Sequence, residues 1–332
     1  MAVPLLMLVT PVAAAERNAA QFDRLAEQAS ALLVADPSAA LVKAQEAREA
    51  GRALADGRAR GVAEVTVQRL VGEAYVQMER TDEAAPLIAS ALLRAHRLAP
   101  GSKLEADILL AQAAVHERRG NTGAALGEYQ RAHLLYQRAA YRKGQVIALL
   151  CIASLYGDAT DWASALKYLD QALAVHPDEP LLLLSSYNNR ASILQELARF
   201  AEAEAGYRKA LALARAMHSP LLEARIMGNI ARALLKRGDV GAAASTVTRA
   251  LALTRAGDAA AGRPPLVAIA AQVALQRGDL PHAARLIRER FAGVDLATTA
   301  IPFREAHQTA YDTYRALGDA PHALEHLVAL KR

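Results

Sequence analysis

The chain has 332 residues, 53% of them hydrophobic but only 5% aromatic, and its 39 Lys and Arg against 34 Asp and Glu leave a formal net charge of +5. So few large rings suit thin layers of alanine- and leucine-rich helices better than a thick globular core. Basic residues alternate with acidic ones, as in Arg199, Glu202, Glu204, Arg208 and Lys209, and no basic run is interleaved with aromatics, which argues against a nucleic-acid partner.

From the N-terminus, Met1 to Val12 is apolar, and Val12-Ala13-Ala14-Ala15-Glu16 places small residues where a signal peptidase cuts. Residues 1–15 therefore read as a signal peptide and imply a periplasmic or otherwise exported protein. No Lys or Arg precedes the apolar stretch, and Pro4 and Pro11 interrupt it. A start codon placed too far downstream would explain the missing basic region; a frayed first helix in a cytoplasmic protein is the alternative. Residues 16–61 follow as a degenerate first helical repeat marked by Ala40, Ala44 and Ala47.

Over 62–332 a small residue returns about every forty positions: Ala84, Ala125, Ala165, Ala203, Ala243, Ala283 and Ala323. Such a period marks a stack of like supersecondary units, each unable to bury its apolar face without a neighbour. A large apolar residue stands four positions on, as at Tyr129, Tyr207 and Val247, and a small one often three beyond that, as at Ala132, Ala210 and Ala250. That spacing is one helical face. Ahead of the alanines come Gly120-Asn121, Gly238-Asp239 and Gly318-Asp319, pairs suited to ending one helix with positive φ and capping the next. A partner helix lies upstream of each turn, written as Val71, Gly72 and Tyr75, then Leu149, Ile152, Ala153 and Tyr156, and later Met227, Ile230, Ala231 and Leu234.

With these positions the chain resembles the tetratricopeptide repeat family, in its extended subgroup of period near forty. Pro177 after Ala172, and Tyr207 with Ala210 after Ala203, fit the family pattern. The resemblance implies an all-α, right-handed α-solenoid of about eight helix pairs, and a concave surface lined by the first helix of each pair. Carried onto this chain, the family's groove positions are Ser185, Asn188, Asn189, Ser192 and Glu196, then Arg225, Gly228, Asn229, Arg232 and Lys236. Asn189 and Arg225 match positions of the carboxylate clamp by which some members hold an acidic peptide terminus. Asn229 stands where a second cation is usual, and Leu150 and Ser154 depart from the clamp in the preceding unit. Asn188, Asn189, Arg225, Asn229, Arg232 and Lys236 are thus the candidate partner-binding residues, and a solvated face with an asparagine ladder bracing adjacent helices is the alternative.

Little else points to chemistry. The single cysteine, Cys151, excludes an intrachain disulfide and reads as a small buried hydrophobe. His322 and His326 lie four apart, a spacing that suits a metal, but Asp279-Leu280-Pro281-His282 repeats as Asp319-Ala320-Pro321-His322, so repetition explains His322. Nucleophile elbow, phosphate loop, dinucleotide fingerprint and H-E-x-x-H are all missing from the sequence. The reading is a scaffold, not an enzyme, without cofactor or metal, that binds a protein or peptide, acidic if Arg225 and Arg232 serve it. The alternative is a sensory input module, since such arrays are similar to the extracytoplasmic halves of bacterial membrane-bound diguanylate cyclases and histidine kinases. The last unit runs to Lys331-Arg332 with no polar capping helix after it, which predicts either continuation of the natural chain beyond Arg332, as the resemblance to sensor proteins implies, or dimerisation through the last helix pair.

Overall fold

The computed structural model describes residues 11–175, 178–255, 260, 262–296 and 303–331. Most of the expected signal peptide, residues 1–10, and Pro177 lie outside them; Ala13 and Ala15 lie in the opening turns of the first helix. The described residues form sixteen α-helices and no strand: α1 (Pro11–Leu32), α2 (Pro37–Arg52), α3 (Gly57–Gln77), α4 (Thr81–Leu98), α5 (Lys103–Arg118), α6 (Thr122–Arg138), α7 (Arg142–Asp158), α8 (Trp162–Val175), α9 (Pro180–Glu196), α10 (Phe200–Ala216), α11 (Pro220–Lys236), α12 (Val240–Leu253), α13 (Arg263–Gln276), α14 (Leu280–Arg290), α15 (Arg304–Ala316) and α16 (Ala320–Lys331). Two compact units divide the chain, residues 1–177 with α1 to α8 and residues 178–332 with α9 to α16. Within each, every odd-numbered helix packs on the even-numbered helix after it, giving four pairs per unit. No described helix is long and apolar enough to cross a membrane.

The repeated alanines are what let each pair close. Ala84, Ala125, Ala165, Ala243 and Ala283 are wholly buried, and Ala203 and Ala323 nearly so. The large residue four positions on, Ile88, Tyr129, Leu169, Tyr207, Val247 or Ile287, fills the space beside the partner helix, and all six are buried. Close approach is tight at Gly72, where a Cβ would lie 2.5 Å from the Ile88 side chain, so a side chain there would force Ile88 or the helices to shift.

The turns inside the pairs share one backbone device. Five positions before each repeat alanine the residue has positive φ: Glu79, Gly120, Thr160, Ala198, Gly238, Gly278 and Gly318. The helix then ends in a reversed hydrogen bond, as from Asn121 N to His116 O at 2.8 Å and from Asp239 N to Leu234 O at 2.9 Å, which satisfies a carbonyl the helix leaves open. Asp239 caps the following helix by accepting from Ala242 N at 3.1 Å, and Asp161 from Ser164 N at 3.0 Å. Three of the seven left-handed positions thus carry a side chain, and at Thr160 it is β-branched. A Cβ at the glycine turns Gly120, Gly238, Gly278 and Gly318 would touch nothing within 4 Å, so at these turns a side chain costs backbone conformation and not space, a cost Thr160 carries with φ 58°. Thr160→Gly is expected to stabilise the protein by about 0.5–1 kcal/mol, and Gly238→Ala to destabilise it by a similar amount, read as opposite shifts of urea midpoints.

Candidate functional site

The second unit brings five of the six candidate residues into two hydrogen-bonded sets. Asn188 and Asn189 sit on α9; Arg225, Asn229, Arg232 and Lys236 recur at helical spacing along one face of α11. Asn188 Nδ2 donates to Asn189 Oδ1 at 3.1 Å, and Asn229 Nδ2 donates across the helices to Asn188 Oδ1 at 2.7 Å. Arg232 donates to Asn229 Oδ1 and lies 3.6 Å from Glu305 of α15. Lys236 pairs with Glu196 of α9. These contacts brace neighbouring first helices, and such exposed ion pairs contribute at most about 1 kcal/mol each.

Arg225 differs from the other cations. It is exposed, one turn ahead of Asn229, and has no hydrogen bond or ion pair among the described residues. Its planar fork is therefore open to a carboxylate or a carbonyl. Gly228, by contrast, is not part of an open surface: it is buried, and a Cβ there would lie 2.9 Å from Leu266 of α13.

The same register continues beyond the residues the family resemblance supplied. One repeat on lie Gln272 and Gln276 of α13, and two repeats on lie Glu305, Gln308 and Asp312 of α15. With Arg232 and Lys236 they line a groove of about 320 Å³ over Leu235 and Leu275. A shift of forty along the sequence would have found them, since Ala203, Ala243, Ala283 and Ala323 are evenly spaced. The groove is rich in amides that both donate and accept, a lining suited to the backbone of an extended chain.

The histidines do not meet as a metal pair. His322 is held by Asp319, Nδ1 to Oδ2 at 2.7 Å, and stacks on Tyr314, whereas His326 is buried and its Nδ1 lies 2.8 Å from Nδ1 of His307. No group of three or more metal-ligating side chains occurs among the described residues. Cys151 is half-buried on α7, and burial pushes its thiol up to about 12, leaving it an inert group at neutral pH.

Residues 182–256, which span α9 to α12, match the tetratricopeptide repeat family model. Over that span the second unit carries tetratricopeptide repeats. No curated protein matches it in sequence. Among solved structures it is similar to the apo form of the quorum sensor NprR from B. thuringiensis, at 12% identity and a TM-score of 0.68, over 93% of this chain and 86% of that one. A Rap protein complexed with competence and sporulation factor is similar at 13% identity and a TM-score of 0.64, over 96% and 97% of the two chains. A tetratricopeptide repeat protein from Parabacteroides merdae is similar at 16% identity and a TM-score of 0.57, over 89% and 99%. At these identities the likeness is one of fold, and it covers nearly the whole chain.

Proposed function

We propose that the protein is a non-enzymatic scaffold that holds an acidic protein or peptide segment on the groove face of its second unit. The observation that carries this reading is Arg225, an exposed guanidinium without a partner, beside an asparagine ladder that fixes the neighbouring helices. Arg232 and Lys236 already neutralise Glu305 and Glu196, so their share in recognition is the smaller. The peptide-bound states of structural neighbours support it further: NprR has been solved in complex with its cognate peptide NprX, at 13% identity and a TM-score of 0.63.

The test is a peptide selected on the full chain from a displayed library, labelled and titrated by fluorescence anisotropy. Arg225→Ala is expected to weaken binding by about tenfold or more, the size of one charge-assisted hydrogen bond to a carboxylate. Arg232→Ala should weaken it less, and raising salt should erode the Arg225 contribution because the residue is exposed. A selected peptide without acidic residues, bound equally well by the Arg225→Ala protein, would refute the reading.

A further inference from the structure

The first unit has a groove of its own, built on a different principle. The repeat register runs back through Ile147 and Cys151 on α7, Asp107 and Leu110 on α5, and Arg69 and Glu73 on α3, and these side chains line a cavity of about 420 Å³. Gly144 makes it possible. A Cβ there would fall 2.5 Å from the Tyr136 ring, so its absence lets that ring from α6 lie against α7 and send its hydroxyl to Asp107 Oδ1 at 2.8 Å. Lys103 Nζ donates to the other Asp107 oxygen at 2.7 Å and stands 4.5 Å over the Tyr141 ring. Arg69 donates from Nη1 to both oxygens of Glu73, at 2.8 and 2.7 Å.

The two carboxylates of this cavity are engaged, while Arg69 and Lys103 keep donors to spare. Every carboxylate oxygen of Glu73 and Asp107 already receives a hydrogen bond. Arg69 commits one nitrogen only: its Nε is buried without an acceptor, and Nη2 has none among the described residues. Lys103 directs its ammonium at one carboxylate oxygen and keeps donors to spare. Beside these cations and the tyrosine rings, Val76, Leu110 and Ile147 give the wall an aliphatic stretch, and Val34 is 81% exposed although it lines the same space. A ligand that brings acceptors on an apolar body completes such a site, because a buried donor without a partner is costly.

We propose that this cavity binds a free carboxylate carried by an apolar residue, with the carboxylate on Arg69 and Lys103 and the aliphatic side chain against Val76, Leu110 and Ile147. Two sources share that chemistry, the C-terminal residue of a peptide and a free N-acylated amino acid. The site lies wholly in the first unit and does not depend on the reading of Arg225. Burial also pushes the Glu73 carboxyl above the usual range even with Arg69 beside it. Neutralising Glu73 therefore frees the Arg69 charge for the ligand.

Isothermal titration calorimetry on the full chain tests this with N-acetyl-leucine, an N-acetylated pentapeptide ending in leucine, and the C-terminal amide of each. At least one acid is expected to bind, and its amide to bind about tenfold more weakly or worse. Arg69→Gln should weaken the acid by a similar factor, while Glu73→Gln should tighten it. Lys103→Met, at a side chain about half exposed, should weaken the acid as well and stands in if Arg69→Gln does not fold. Arg249→Ala, exposed on α12, should change nothing. Binding of the peptide acid alone assigns the site to a peptide terminus; equal binding of both acids assigns it to the terminal residue itself. No binding of either acid, equal binding of acid and amide, or indifference to both Glu73→Gln and Lys103→Met would overturn the proposal.

Discussion

Replacing Tyr136 with alanine is expected to destabilise the first unit by about 3–5 kcal/mol, the usual cost of deleting a large buried ring. Tyr136 is 2% exposed and packs among Ala106, Leu109, Ala132 and Ala148, with its ring 5.6 Å from that of Tyr141. The backbone of α7 at Gly144 is fitted to it, so truncation leaves a void the helices cannot close without losing their register. The hydroxyl is a separate matter. Burial, and then the Asp107 carboxylate, drive its pKa up, so it remains a donor throughout the working pH range. Tyr136→Phe keeps the ring and loses only that bond, at roughly 1–2 kcal/mol. Urea denaturation monitored on both variants checks the order; a Tyr136→Ala protein within 1 kcal/mol of the parent would show that the ring is not the keystone of this unit.

Acid is expected to loosen the last two helices. His307 of α15 and His326 of α16 are buried, and a contact between two Nδ1 atoms needs one proton and one lone pair, so both rings cannot be imidazolium while it lasts. Phe291 and Phe303 face His307, Phe291 and Tyr314 face His326, and Arg290 and His322 add positive charge nearby. Burial, then His307 and His322, lower His326 to about 4; burial, then Arg290, lowers His307. The unfolded chain holds these protons from about pH 6.5 downward and the folded chain does not, so the unfolded state binds more protons between the two pKa values. Stability is therefore complete above about pH 6.5 and falls as the pH drops toward 4, by roughly 3 kcal/mol for His326 once the pH is below both values. His326→Phe, which cannot be protonated, should flatten that slope. An unchanged pH profile in His326→Phe would place the acid sensitivity elsewhere.

The repeat architecture was legible because it rests on residue type at fixed spacing. Buried Ala84 to Ala323 and the turns ahead of them need no knowledge of any partner segment, and each is written in the sequence at its own position. Left-handed turns at Glu79, Thr160 and Ala198 were hidden because those residue types rarely adopt positive φ; their place five residues before the repeat alanine was the available signal. The groove was legible only in part. Register put Asn188, Asn229 and Arg225 on one face, but Lys236 finds Glu196 across 40 residues and Arg232 finds Glu305 from two repeats on, pairings that follow from helix packing. The cavity of the first unit was missed for a related reason. Its key fit joins Gly144 on α7 to a tyrosine on α6 whose hydroxyl ends on α5, and no single helix displays it.

The central claim is that the first helices of the second unit form the recognition surface, and hydrogen exchange read by mass spectrometry tests it most directly. The full chain would be compared with and without the selected acidic peptide at saturation. Protection is expected in α9 and α11, around Asn188 and Arg225, with little change in α10 and α12, the outer members of those pairs. Protection confined to α10 and α12, or no change in α9 and α11 despite saturation, would contradict the account.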